Sequence, residues 1–150
     1  SVLNSVDSME AHKAVINAIR TLCKPNGKLY FSGRSYEYNV KRTEQSMTSD
    51  KVNYIYFYDK NLFTANFRRG NWFYQKMHNK EMIKEICQSI SKKNYKTIGN
   101  GSSFQCDVLN EIQLSKKDKK EAIDFEFDLP LPNDKTYGKN HLINKLLKLS

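Results

Sequence analysis

"LCKPNGKLYFSGR", residues 22–34, is a helix end, a turn and a buried strand in thirteen residues. Pro25 cannot continue a helix, and Asn26-Gly27 supplies turn geometry. Leu29–Phe31 then reads as a short apolar strand closed by Gly33. Upstream, Asp7 is a good N-cap with Glu10 three residues on. Ala11, Ala14, Val15, Ala18, Ile19 and Leu22 recur at three and four, which predicts one apolar face, with Lys13 and Arg20 on the wet side. Before them, "SVLNSVDS" (1–8) reads as a strand end. Strand, helix, turn and strand with short links predict a right-handed crossover, with Val2–Leu3 lying parallel to Leu29–Phe31. The chain opens on Ser1 without an initiator Met, and its first apolar run looks truncated, so a fragment is expected.

Downstream, residues 34–51 are polar and weakly periodic and read as a loop with at most one helical turn. "VNYIYFY" (52–58), "LFTANFR" (62–68) and "NWFYQKMH" (71–78) read as an antiparallel meander turning at Asp59-Lys60-Asn61 and at Arg69-Gly70. This meander holds nine of the chain's eighteen aromatics. A helix over about 80–92 follows, capped by Asn79, with Met82, Ile83, Ile86, Cys87 and Ile90 as its stripe. Residues 94–101 and 102–114 read as two strands around a Gly turn. Residues 115–120 are a charged linker. Residues 122–132 alternate Ile123, Phe125, Phe127 and Leu129 as a half-buried extended segment does, and a short amphipathic helix ends the chain.

The bulk numbers fit one soluble globular domain: 150 residues, 39% hydrophobic, 27% charged, net charge +9. No apolar run is long enough to span a membrane and no signal peptide is visible, so the expectation is a cytoplasmic protein. Cys23, Cys87 and Cys106 are odd in number and far apart, and read as reduced core thiols. Residues 60–96 carry nine basic residues against Glu81 and Glu85, a net of +7. That basic patch favours an anionic substrate or nucleic acid, and equally fits a solvated face.

Taken in order, strand, helix, the turn Leu22-Cys23-Lys24-Pro25-Asn26-Gly27-Lys28-Leu29, strand, insertion, helix and two strands resemble the C-terminal part of a class I S-adenosylmethionine-dependent methyltransferase, with Asn26 where that family usually has Gly. The resemblance implies an α/β fold: the C-terminal half of a Rossmann-like sheet over 1–114, with an antiparallel β-meander inserted at 52–78. Residues 115–150 fall outside it. It also implies that 94–99 and 103–112 form the antiparallel closing pair, and that this chain is part of a transferase. The cofactor's Gly-rich loop and ribose-holding acid are not among these residues, so its main grip would lie outside this chain and the fragment would be inactive alone.

The resemblance places Asn4 and Ser5 at the carboxyl end of a parallel strand, nearest the cofactor's methyl group. Arg34, at the end of the next strand, is a candidate for an anionic substrate group, with a surface ion pair as the alternative. Arg68, Arg69, Trp72 and Tyr74 form a candidate wall, the arginines with Lys76 holding charge and an aromatic stacking on the substrate; core packing is the alternative. His78 is a candidate general base, with capping or packing as the alternative. No Asp/Asn-Pro-Pro-Tyr/Phe signature follows the first strand and no Pro-Cys occurs, which argues against methylation of base amino groups or of cytosine carbon. No metal site is expected. Two rival classes remain: a non-catalytic nucleic-acid-binding module built on 60–96, and a subunit that completes its sheet in a homodimer through an exposed edge.

Overall fold

Strand β1 (Lys28–Ser35) is buried at every second residue, and the rest of the chain is arranged about that alternation. The computed structural model describes residues 2–46, 54–128 and 130–150. Within them lie five helices and a six-stranded mixed sheet, an α/β architecture. The strands are β1, β2 (Tyr54–Phe57), β3 (Phe63–Arg68), β4 (Asn71–His78), β5 (Tyr95–Asn100) and β6 (Ser103–Leu109). Their order is β2-β3-β4-β1-β6-β5. β1 runs parallel to β4, with Arg34 opposite Met77 and Ser35 opposite His78. On its other side it runs antiparallel to β6 over seven pairs, from Lys28 opposite Leu109 to Arg34 opposite Ser103.

The meander and the closing hairpin form as the sequence predicts. The turn between β3 and β4 has positive φ at Arg69 and Gly70, the two-residue geometry that suits the twist of a hairpin. β5 and β6 pair around Gly101, with β6 set between β5 and β1. Residues 52 and 53 of the expected first meander strand lie outside the described residues.

Helices α1 (Met9–Leu22) and α3 (Lys80–Ile90) cover one face of the sheet. Ala11, Val15 and Ile16 from α1, and Ile83, Cys87 and Ile90 from α3, close over Leu29, Phe31, Phe104, Cys106 and Val108. Asn79 caps α3 as expected, its side chain accepting from the Met82 N–H at 2.8 Å. The cap of α1 is Ser8 rather than Asp7, accepting from the Ala11 N–H at 3.1 Å.

Several expectations are corrected. Val2–Asn4 is one 3-10 turn, not a strand. The parallel neighbour of β1 is instead β4, reached through the meander. On that side β1 pairs only through Arg34 and Ser35, and the outermost strands of the sheet are β2 and β5. Residues 36–46 form a helix, α2 (Tyr36–Ser46), where a loop was expected; Asn39 anchors it by donating to the Ser35 carbonyl at 2.5 Å. Residues 116–127 form helix α4 (Lys116–Phe127), not a linker and an extended segment. Ile123 and Phe127 fit a helical spacing as well as an alternating one. Ser115 caps the helix, and Lys117–Glu121 and Lys120–Asp124 pair at i,i+4. Ala122 and Ile123 pack with Ala18 of α1 and with Leu149, so this tail belongs to the same body. α5 (Asn140–Leu146) ends the chain. Arg20 is buried rather than wet, because α4's approach encloses it and its guanidinium donates to the Ile112 carbonyl. Cys87 and Cys106 are bonded where three free thiols were expected, since α3 lies over β6; Cys23 is free.

Gly33 marks the tightest point of this packing. A Cβ there would stand 2.4 Å from the Phe104 ring and 3.1 Å from His78 Nδ1. Gly33→Ala is therefore expected to cost about 1–3 kcal/mol of unfolding free energy by overpacking, measured as a lowered urea midpoint. Adding Phe104→Leu should make the pair of changes cost less than their separate costs summed.

Candidate functional site

Two parallel strand ends, Ser35 of β1 and His78 of β4, meet where ligands of open α/β sheets usually sit. Asn4 comes to the same place. It is buried, and its Oδ1 accepts from the Arg34 N–H at 3.0 Å, tying the 3-10 turn to the end of β1. Ser5 is exposed. Arg34 is half-buried, one strand away from Met77. Asn4 thus meets the Arg34 backbone with His78 one strand away, while the Arg34 side chain alternates to the sheet face opposite Gly33 and His78.

The rest of the expected wall lies elsewhere. β4 ends at His78 but starts at Asn71, and six residues at ~3.3 Å each put Trp72 about 20 Å from His78. Arg68 and Arg69 lie at that far end, both exposed. There Trp72 and Tyr74 are 56% and 68% exposed, so they are not core residues. They continue a ladder across three strands: Tyr56 lies 5.7 Å from Trp72, Tyr58 lies 6.1 Å from Tyr74, and Phe67 lies 5.2 Å from Trp72, centroid to centroid.

What sequence reading missed is a polar cluster under α1. His12 Nε2 and His78 Nε2 lie 2.8 Å apart, and both rings are buried. One imidazole must donate and the other accept. His78 Nδ1 is buried without a partner, packed against Gly33. A buried bare lone pair is less costly than a buried unpaired N–H. That assigns the donor as His78 Nε2–H, leaving His12 with its proton on Nδ1. Burial lowers the pKa of His12 to about 4 and, with His12 and Lys76 as neighbours, that of His78 to about 3. Both rings are neutral at pH 7, and His78 is a weak base there.

Lys76 completes the cluster and is 1% exposed. Its Nζ donates to the Asn61 carbonyl and to the Met77 carbonyl at 3.1 Å, faces Met82 Sδ at 3.5 Å, and sits 5.2 Å from the Phe63 ring centre. Among the described residues no carboxylate reaches ion-pair distance of it. Desolvation lowers its pKa to about 8, with Asp59 partly opposing. Lys76 was expected beside Arg68 and Arg69 as a charge of the wall, and the structure buries it under α1 instead. The one readable hint of the cluster was His12 on the apolar side of α1.

His12, Lys76 and His78 form one end of a groove of about 550 Å³ between α1 and α3. A second crevice, of about 640 Å³, opens between α2, α3 and the β5–β6 hairpin, with Lys41, Lys80 and Lys84 around it. Among the described residues no group of His, Cys, Asp and Glu fits a metal ion. No helix of the described residues is long and apolar enough to cross a membrane.

Gly33 is filled by Phe104, and Gly101 turns between two strands rather than from strand to helix. Asn4 Oδ1 is already engaged by the Arg34 amide. No protein family, curated protein or solved structure matches this chain.

The histidine pair gives stability a pH signature. Their folded pKa values lie below the unfolded value near 6.5, so the neutral forms favour folding. Stability is complete above about pH 6.5 and falls as pH drops toward 4. The expected loss is on the order of 3 kcal/mol between pH 7 and 4, discounted for water entering the groove. Urea titrations across that range check it, and His12→Leu with His78→Leu should flatten the dependence.

Proposed function

We propose that this chain forms part of an S-adenosylmethionine-dependent methyltransferase, on the acceptor side of the sheet. The observation that carries the reading is the antiparallel closing pair β5–β6, set against β1 directly after the Lys24-Pro25-Asn26-Gly27 turn. Helices α1 and α3 packed on one face of that sheet are consistent with it. The 3-10 turn at Val2–Asn4 weighs against it, since a parallel strand beside β1 was part of the expectation. On this reading the cofactor-gripping loop lies outside these residues, and Asn4, Ser5 and Arg34 stand near the acceptor. Transfer from a sulfonium needs alignment and exclusion of water more than a catalytic triad.

The test is calorimetric titration of S-adenosylhomocysteine into two proteins: this chain, and the same chain extended through the residues encoded before Ser1. Saturable binding to the extended protein, at least a hundredfold weaker in residues 1–150 alone, supports the reading. An extended protein that does not bind the compound removes it.

One observation favours a second reading, binding of single-stranded nucleic acid without catalysis. Tyr56, Tyr58, Trp72 and Tyr74 are all more than half exposed and stand side by side, next to Arg68 and Arg69. Bases stack on such rings at about 1–3 kcal/mol each, and guanidinium groups at the rim supply phosphate contacts. Trp72→Ala with Tyr74→Ala should weaken binding of an oligothymidylate by tenfold or more in fluorescence anisotropy. Arg68→Gln with Arg69→Gln should flatten the salt dependence instead. Unchanged affinity in the first variant would remove this reading.

A further inference from the structure

The groove between α1 and α3 is lined at one end by a buried ammonium that no carboxylate of the described residues pairs. The two helices run the same way, since α1 enters β1 at its amino end, α3 leaves β4 at its carboxyl end, and the two strands are parallel. At the His12 end, Lys76 Nζ has three N–H donors. Two are spent on the Asn61 and Met77 carbonyls. The third has the thioether of Met82, a weak acceptor, and the Phe63 ring near it. His12 lines the same space and carries its free N–H on Nδ1, by the tautomer argued above. An ammonium buried among neutral partners is costly unless an anion joins it. Beyond this end the lining mixes apolar Met9 and Ile16 from α1 and Met82 and Ile86 from α3 with Lys13, Asn17, Glu85 and Ser89. At the far end Leu114, Arg20 and the carboxylate of Asp118 close it, Arg20 about 12 Å from His12 along α1 at 1.5 Å per residue. Arg20 is 7% exposed and its Nε is buried without a partner. A space of about 550 Å³ lies within the range of small-molecule sites.

We propose that this groove binds a small amphiphilic carboxylate, its anionic head on Lys76 Nζ and His12 Nδ1 and its apolar body between the two helices. The carboxylate takes the third ammonium hydrogen from Met82, and the chain covers Ile16 and Ile86. A head without a body would leave those apolar side chains wet, and a body without a head would leave the ammonium unpaired. Both parts are therefore required. This site is independent of the methyl-transfer reading and of the aromatic ladder, both of which use other residues.

Octanoate, acetate and octanol are the probes, each titrated into the 150-residue protein at pH 7 by calorimetry. In parallel, the 13Cε resonance of Lys76 is followed against pH. Octanoate should bind at one site per chain, at least tenfold more tightly than acetate or octanol, and should raise the pH at which Lys76 titrates. Lys76→Met should lower octanoate affinity at least tenfold. Ile86→Glu, a half-buried position that leaves Lys76 in place, should do the same if Lys76→Met does not fold. The proposal is overturned if octanol binds as tightly as octanoate, if no saturable binding appears below about 10 mM, or if the Lys76 titration does not move.

Discussion

Alternation along β1 is the constraint from which the rest follows. Leu29, Phe31 and Gly33 face α1 and α3, while Lys28, Tyr30 and Ser32 face away and are exposed. A slip of one residue would turn the apolar set to water. Pairing with β6 fixes the register, because Val108, Cys106 and Phe104 sit opposite Leu29, Phe31 and Gly33 and are buried with them. The absence of a side chain at Gly33 is what lets Phe104 and His78 meet above it. From that contact the polar cluster under α1 is built.

Burial of charge is the molecule's second theme. Lys76, Arg20 and His12 are all nearly covered, yet their partners are carbonyls, a thioether and another imidazole. Neutral partners satisfy hydrogen bonds without cancelling charge, which is why the histidines stay neutral and the lysine loses its proton more readily than an exposed one. Perturbed groups gathered in a cleft are a common mark of function, although structural networks perturb them too. Here the groove gives the perturbation a place for a ligand to act.

The far end of β4 has a different character. Its aromatic ladder is exposed and packs across the meander, with both arginines at the turn. A strand is straight and long, so one element carries two unrelated surfaces about 20 Å apart. Short distance in sequence was no guide to sharing a site. Conversely, His12 and His78 are 66 residues apart and touch.

The amino-acid sequence determined the elements whose signals are local. Pro25 and Asn26-Gly27 ended α1, Arg69-Gly70 set the β3–β4 turn, Asn79 capped α3, and period-two stretches placed β3, β4 and the closing hairpin. It misread 36–46 and 116–127 because those helices are polar enough to pass for loops or linkers and are stabilised by what they pack on. Of the candidate site, Asn4, Arg34 and His78 were legible as residues at strand ends. The burial of Lys76, its place beside His12 and the groove beside them were decided only by tertiary structure. Whether a given lysine or histidine meets water depends on which helix comes to lie over its strand, and no local pattern encodes that.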